Sequence, residues 1–254
     1  THMRRWIALL LFFSLLITPC ALAEGVHVVG DNAGEVYCPE GSDAQTAQYV
    51  YRYQYPLLEN TGETAQMIND FYDYLISDAK DFMIPMTYET LEVSPVQAYT
   101  AITSQVMCNN EDYFSVLVTT ESFMGAETSQ ILAGHTFALQ GGKAGTCISL
   151  PYLLGLLEAD ENATWMQDRA TAKANELVYG LVWSIIEEQK AEGIIAYYDD
   201  LTREELEAQF YPEEDFYLDE NGNPVFYVQP SYIASSAEGV LTFPFTLEEL
   251  LDEL

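Results

Sequence analysis

With three histidines and four cysteines in 254 residues, this chain has few ways to build a nucleophile or a metal site. Ser-His-Asp catalysis needs an imidazole base. His2 falls in a leader described below, so only His27 and His135 could serve. His27 sits in a polar linker, and His135 reads as a strand residue on a polar or edge face. No glycine-flanked serine elbow, phosphate-cradling loop or His-Glu-x-x-His pair occurs. The cysteines show no Cys-x-x-Cys spacing, so neither a metal nor a redox motif is indicated. The run from Asp219 to Asn223 has calcium-loop residue types without calcium-loop spacing, and a hairpin turn accounts for it. Two carboxylates could cleave a glycosidic bond, but 40 Asp plus Glu make neighbouring acids uninformative. We expect no catalytic residues, no metal and no cofactor.

The charge balance says more about partners. Forty acids face nine Lys plus Arg. Arg4 and Arg5 precede an apolar run from Trp6 to Ile17, and Ala21 and Ala23 supply a small-x-small cleavage site. Residues 1–23 therefore read as a cloning remnant (Thr1, His2) plus a secretory signal peptide cleaved after Ala23. Losing Arg4 and Arg5 leaves seven cations against forty acids, or −33. Nucleic acid is excluded as a partner by like charge. No stretch of the mature chain is long and apolar enough for a transmembrane span. The expected location is secreted or associated with the cell envelope, and three cysteines remain there: Cys38, Cys108 and Cys147.

The elements that would carry any site follow from periodicity. Residues 24–47 read as a linker, with a short strand near Val26 to Val29. Tyr49, Tyr51, Tyr53 and Tyr55 recur at period two, which predicts a half-buried strand with tyrosines in the core. Asn60 to Glu63 has capping-box form. Behind it Ile68, Phe71, Tyr72, Leu75, Ile76, Ala79 and Phe82 keep helical spacing and predict one amphipathic helix to Phe82. Strands are expected near Met86 to Val93, Tyr99 to Met107, Tyr113 to Glu121 and Gln130 to Leu139, joined as an antiparallel meander. That meander would bring the ends of two strands to one sheet edge, making Cys108 and Cys147 a candidate disulfide with Cys38 left over. A long helix follows from Ala163 to Glu192, closed by Gly193. Thr202 and Thr246 open two short capped helices. The acids between Glu204 and Asp215 read as a solvated charge run.

Between Phe216 and Phe245 two aromatic, β-branched runs flank a polar turn, and a third follows. Phe216, Tyr217, Leu218, Gly222, Val225, Phe226, Tyr227, Gln229, Pro230, Ile233, Ala234, Gly239, Phe243 and Pro244 carry a resemblance. The stretch resembles the C-terminal signature of bacterial extracellular domains of unknown function of the 3298/4163 type. Those include the lysozyme-binding ectodomain of RsiV-type anti-sigma factors and the accessory domain of PdaC-type peptidoglycan deacetylases. Ser231, Tyr232, Ser235 and Ser236 replace that family's Tyr-Glu and Pro-Tyr pairs. Met124, Gly125, Ala126 and Glu127 occupy its Gly-Gly-Ala-His tetrad, with Glu127 in place of histidine.

The resemblance implies a binding module for a basic lysozyme-like protein or a cell-wall glycan, with Met124 to Glu127 and Ser231 and Tyr232 as ligand-binding positions. The alternative is a carboxylate-dependent hydrolase of wall polymer. The fold expected is α+β: an antiparallel sheet covered by two main helices, with a C-terminal hairpin and a short terminal helix. Residues 48–254 should form one domain, its halves (about 48–139 and 140–254) sharing one core.

Overall fold

The computed structural model describes residues 25–92, 94–158 and 163–254. The expected leader with its expected cleavage after Ala23, and Val93, lie outside those residues. The fold is α+β, as expected. A five-stranded sheet has the order β1 (Val28–Cys38), β2 (Tyr49–Leu58), β3 (Ala98–Asn109), β4 (Tyr113–Phe123), β5 (Thr128–Ala138). A separate three-stranded antiparallel sheet is built from β6 (Phe216–Leu218), β7 (Pro224–Val228) and β8 (Leu241–Pro244).

The sheet is not wholly antiparallel, because β2 and β3 run parallel. Parallel neighbours need a crossover. Here it consists of α1 (Glu63–Asp78), a π-helical turn (Ala79–Met83) and α2 (Ile84–Thr90). The segment from Met86 that alternation marks as a strand is therefore helical as far as Thr90. The residues before Tyr49 are also more than a linker. Val28–Cys38 is an eleven-residue strand paired with β2 from Cys38↔Tyr49 to Val28↔Leu58. The cap expected at Asn60 fails: Gly62 is the N-cap residue and has no side chain to offer, while the Asn60 amide reaches Gln66 instead.

The tyrosine row packs as its period demands. Tyr49, Tyr51 and Tyr55 are buried against Ile68, Tyr72 and Ile76 of α1, with the Tyr55 and Tyr72 rings 4.9 Å apart. In the second half the long helix α4 (Thr164–Glu192) buries Ala174, Val178, Val182 and Ile186 against Phe210, Phe216, Phe226 and Phe243. Gly193, in the left-handed region (φ 66°), ends α4. The short helices α3 (Leu150–Leu153), α5 (Arg203–Glu207) and α6 (Leu247–Asp252) complete the half, and α5 and α6 carry the expected capping boxes.

The buried apolar residues gather in two adjoining clusters. One apolar cluster lies between the five-stranded sheet and α1; the other joins α4 to the small sheet. They meet across one end of the sheet, where Val106, Phe114 and Phe137 of β3, β4 and β5 belong to the first and Cys108, Tyr113 and Ala138 of the same strands to the second. Alternation along a strand sends adjacent side chains to opposite faces, so this end of the sheet, with β5 at its edge, is the wall between the two clusters.

Candidate functional site

That wall is where the chemistry-bearing groups collect. β5 is the edge strand of its sheet, and an edge exposes unpaired N–H and C=O groups. The second half covers them. The Gln229 amide accepts from Leu132 N (2.9 Å) and donates to Leu132 O (2.8 Å), as a neighbouring strand would. Gly134 N donates to Tyr227 Oη at 2.8 Å, and Ile148 N donates to Thr136 O. Beneath them Leu218 N donates to Ser115 Oγ, which is 2.8 Å from Thr136 Oγ1; both hydroxyl-bearing side chains are buried.

Along this seam runs a crevice of about 370 Å³ whose lining includes His135, Cys147, Glu213, Glu214, Asp215 and Tyr227. Burial pushes the Asp215 carboxyl up to about 6, assisted by the charges of Glu213 and Glu214, although Tyr211 N donates to its Oδ2 at 2.8 Å. Burial takes the His135 imidazole down to about 4. Its ring meets Phe71 edge-on at 5.1 Å, and its buried Nδ1 has no hydrogen-bond partner. Cys147 is open to solvent at the crevice wall, yet enough protein surrounds it to push its thiol up to about 11.

Those directions decide what the crevice can do. A cysteine nucleophile needs thiolate beside imidazolium. Here desolvation favours the neutral form of both groups, so His135 and Cys147 are not an activated pair. Asp215 can exchange a proton near neutrality. Among the described residues no three His, Cys, Asp or Glu converge to hold a metal ion. Among them, too, no helix is long and apolar enough to cross a membrane.

The positions picked out from the sequence lie elsewhere. Met124 to Glu127 form the exposed β4–β5 turn, with Gly125 at φ +103°. Met124 lines a shallow recess with Met86, Thr87, Thr90, Leu91 and Glu92, which includes neither Ser231 nor Tyr232. Those two follow β7. Ser231 holds a left-handed φ of 68°, and its carbonyl accepts from Tyr198 Oη at 3.1 Å. Tyr232 is exposed.

The expected Cys108–Cys147 disulfide is absent: Cys38, Cys108 and Cys147 are free thiols. Cys108 is opposite Ser115, Ser115 is opposite Thr136, and Cys147 bridges to Phe137 beyond it. Three strand spacings, roughly 14 Å, separate the two cysteines, whereas a disulfide needs Cα atoms within about 7 Å. Sequence reasoning missed Asp215 by grouping it with the solvated acids. The available signal was its place directly before Phe216, the first strand residue, where the chain must turn inward.

Two sheets, one backed by a crossover helix and one by a long helix, define an α+β fold of the DUF3298 type. The chain is similar to a DUF3298 family protein from Pseudomonas aeruginosa PAO1, with a TM-score of 0.52 and 12% identity over 91% of this chain and 95% of that one. It is also similar to a member of the DUF3298 family from Bacteroides fragilis, with a TM-score of 0.43 and 14% identity over 89% and 93%. No family model matches the chain, and no curated protein is similar to it. At such identities the likeness is one of fold.

Proposed function

We propose that the chain is a secreted, non-catalytic binding module of the bacterial cell envelope whose ligand is a cationic protein of the basic lysozyme kind. The observation that carries this is charge that cannot be satisfied internally. Nine Lys plus Arg cannot pair with 40 acids, and among the described residues only Arg52 and Arg203 form ion pairs, with Glu35, Glu176 and Glu207, besides the His27–Glu59 contact. A surface so charged speeds encounter with a basic partner and makes binding salt-dependent. The apparent leader and the resemblance of the tail to RsiV-type ectodomains support the same reading.

Calorimetric titration with a basic lysozyme tests it. Binding is expected at low salt and should weaken at least about tenfold at several hundred millimolar salt. No heat at either salt would overturn the protein ligand, and a parallel titration with soluble peptidoglycan fragments would then decide for a cell-wall glycan.

One observation favours a second reading, a carboxylate-dependent hydrolase of wall polymer. Asp215, with its pKa near 6 in an acid-lined crevice, suits a general acid. Release of soluble sugar from peptidoglycan, abolished by Asp215→Asn, would establish that activity and displace the non-catalytic reading.

A further inference from the structure

The crossover helix presents an apolar surface that its sequence pattern would have buried. Its inward stripe runs through Ile68, Tyr72, Ile76 and Ala79, in steps of three or four. The next inward residue is Ile84, a step of five. In an uninterrupted α-helix Met83 would follow Ala79 on the buried side, with Met86 close behind. The π turn inserts one residue and rotates everything after it by about 100°. Phe82, placed on the inward stripe by spacing alone, is instead 69% exposed, Met83 43% and Met86 63%. Met124, at the β4–β5 turn, joins Met86 and Leu91 around a recess of about 360 Å³.

The rim of this patch has one sign. Asp81, Glu89, Glu92 and Glu127 are exposed, and none takes part in an ion pair among the described residues. Lys80, the nearby cation, is held over the Tyr53 ring at 5.3 Å. Methionine-rich surfaces adapt to what they bind, and an apolar patch bordered by charge marks an interaction site.

We infer that Phe82, Met83, Met86 and Met124 form the docking face for an amphipathic, positively charged segment of a partner protein. The segment's apolar side seats on the methionines, and its Lys and Arg side chains meet the acidic rim. The inference rests on the cationic-protein reading above and locates its binding face. A second copy of this chain fits poorly, because a two-fold contact through this patch would set acidic rims against each other. An anionic lipid surface would be repelled for the same reason.

Two synthetic peptides about five helical turns long test this against the full chain. One places Leu on one helical face and Lys on the other; the second replaces every Leu by Gln at the same charge. The Lys/Leu peptide should bind at least about tenfold more tightly than the Lys/Gln peptide. That advantage should vanish in the F82S/M86S double variant, whose circular dichroism and melting should match wild type because both side chains are exposed. Equal binding of both peptides, or an advantage that survives in the double variant, would overturn the docking face and leave the cationic reading standing. Failure of both peptides to bind would overturn both. Salt-insensitive binding of the Lys/Leu peptide would remove the role of the acidic rim. Dimerisation of the wild type that the double variant abolishes would assign the patch to a second copy instead.

Discussion

The backbones of Gly134 and Phe216 lie so close that a Cβ on Gly134 would overlap the Phe216 carbonyl oxygen. This one approach lets the C-terminal half press onto β5. It requires the absence of a side chain rather than any special backbone angle. Gly134→Ala must push the strands apart and disturb the Tyr227, Gln229 and Ser115 hydrogen bonds together. We expect it to cost on the order of 2–4 kcal/mol, read as a lower urea midpoint. A change under 0.5 kcal/mol would show that the seam is loose.

Gln229 acts as a surrogate strand for the edge of β5, serving both Leu132 N and Leu132 O. Gln229→Ala leaves those two backbone groups without partners in a half-buried place, at about 1–3 kcal/mol. Hydrogen exchange offers the sharper readout. The Leu132 amide should lose protection in the variant, while amides between β1 and β2 keep theirs.

His135 and Asp215 share a crevice and should oppose each other in pH dependence. Burial holds the folded His135 pKa near 4 against an ordinary value of 6.5. Below pH 6.5 the unfolded chain takes a proton that the folded chain refuses, so its stabilising contribution, complete above 6.5, is lost as pH falls toward 4. Asp215 runs the other way, with a folded pKa raised from 3.8 to about 6. Between those values the folded chain keeps a proton that the unfolded chain has released, so its contribution is present at acid pH and lost as pH rises through 6. Asp215→Asn should therefore raise stability at pH 7.5 by on the order of 1–2 kcal/mol, allowing for solvent screening. His135→Phe should flatten the decline between pH 6.5 and 4. Urea midpoints across pH 4–8 that parallel the wild type for both variants would refute these assignments.

The π turn makes a contrast within one helix. Ile68→Ala, in the core against Tyr55 and Tyr72, should cost about 2–4 kcal/mol. Phe82→Ala, fourteen positions on and matching the same periodicity, should change stability by less than about 0.5 kcal/mol. Equal losses at the two positions would place Phe82 in the core.

How much of this could be read from residues alone depended on how far apart the interacting residues were. The period-two tyrosines from Tyr49 to Tyr55 predict their own burial, because adjacent strand positions must alternate. Thr202 and Thr246 announce caps whose partners, Glu205 and Glu249, stand three residues away. Gly193 marks the end of α4 because a left-handed residue suits glycine. Asn60 failed as a cap because the helix began one residue after Gly62, a boundary that local pattern does not resolve. The site was less legible. Met124 was picked out by resemblance and does line a recess, but with α2 rather than with Ser231 or Tyr232. Asp215 passed for a solvated acid because nothing nearby in sequence encodes the β5 edge it faces.

The amino-acid order determined, by itself, the class of fold, the strand and helix periods, the short caps and an acid excess that no internal pairing can neutralise. These depend on composition and on neighbours within one or two turns. Tertiary packing alone decided that β2 and β3 run parallel and that one end of the sheet separates two apolar clusters. It also set three strand spacings between Cys108 and Cys147 and turned Phe82 and Met86 outward. Each of those outcomes is a choice of register or rotation between distant segments. A shift of one residue there reverses what is buried, while the local pattern stays the same.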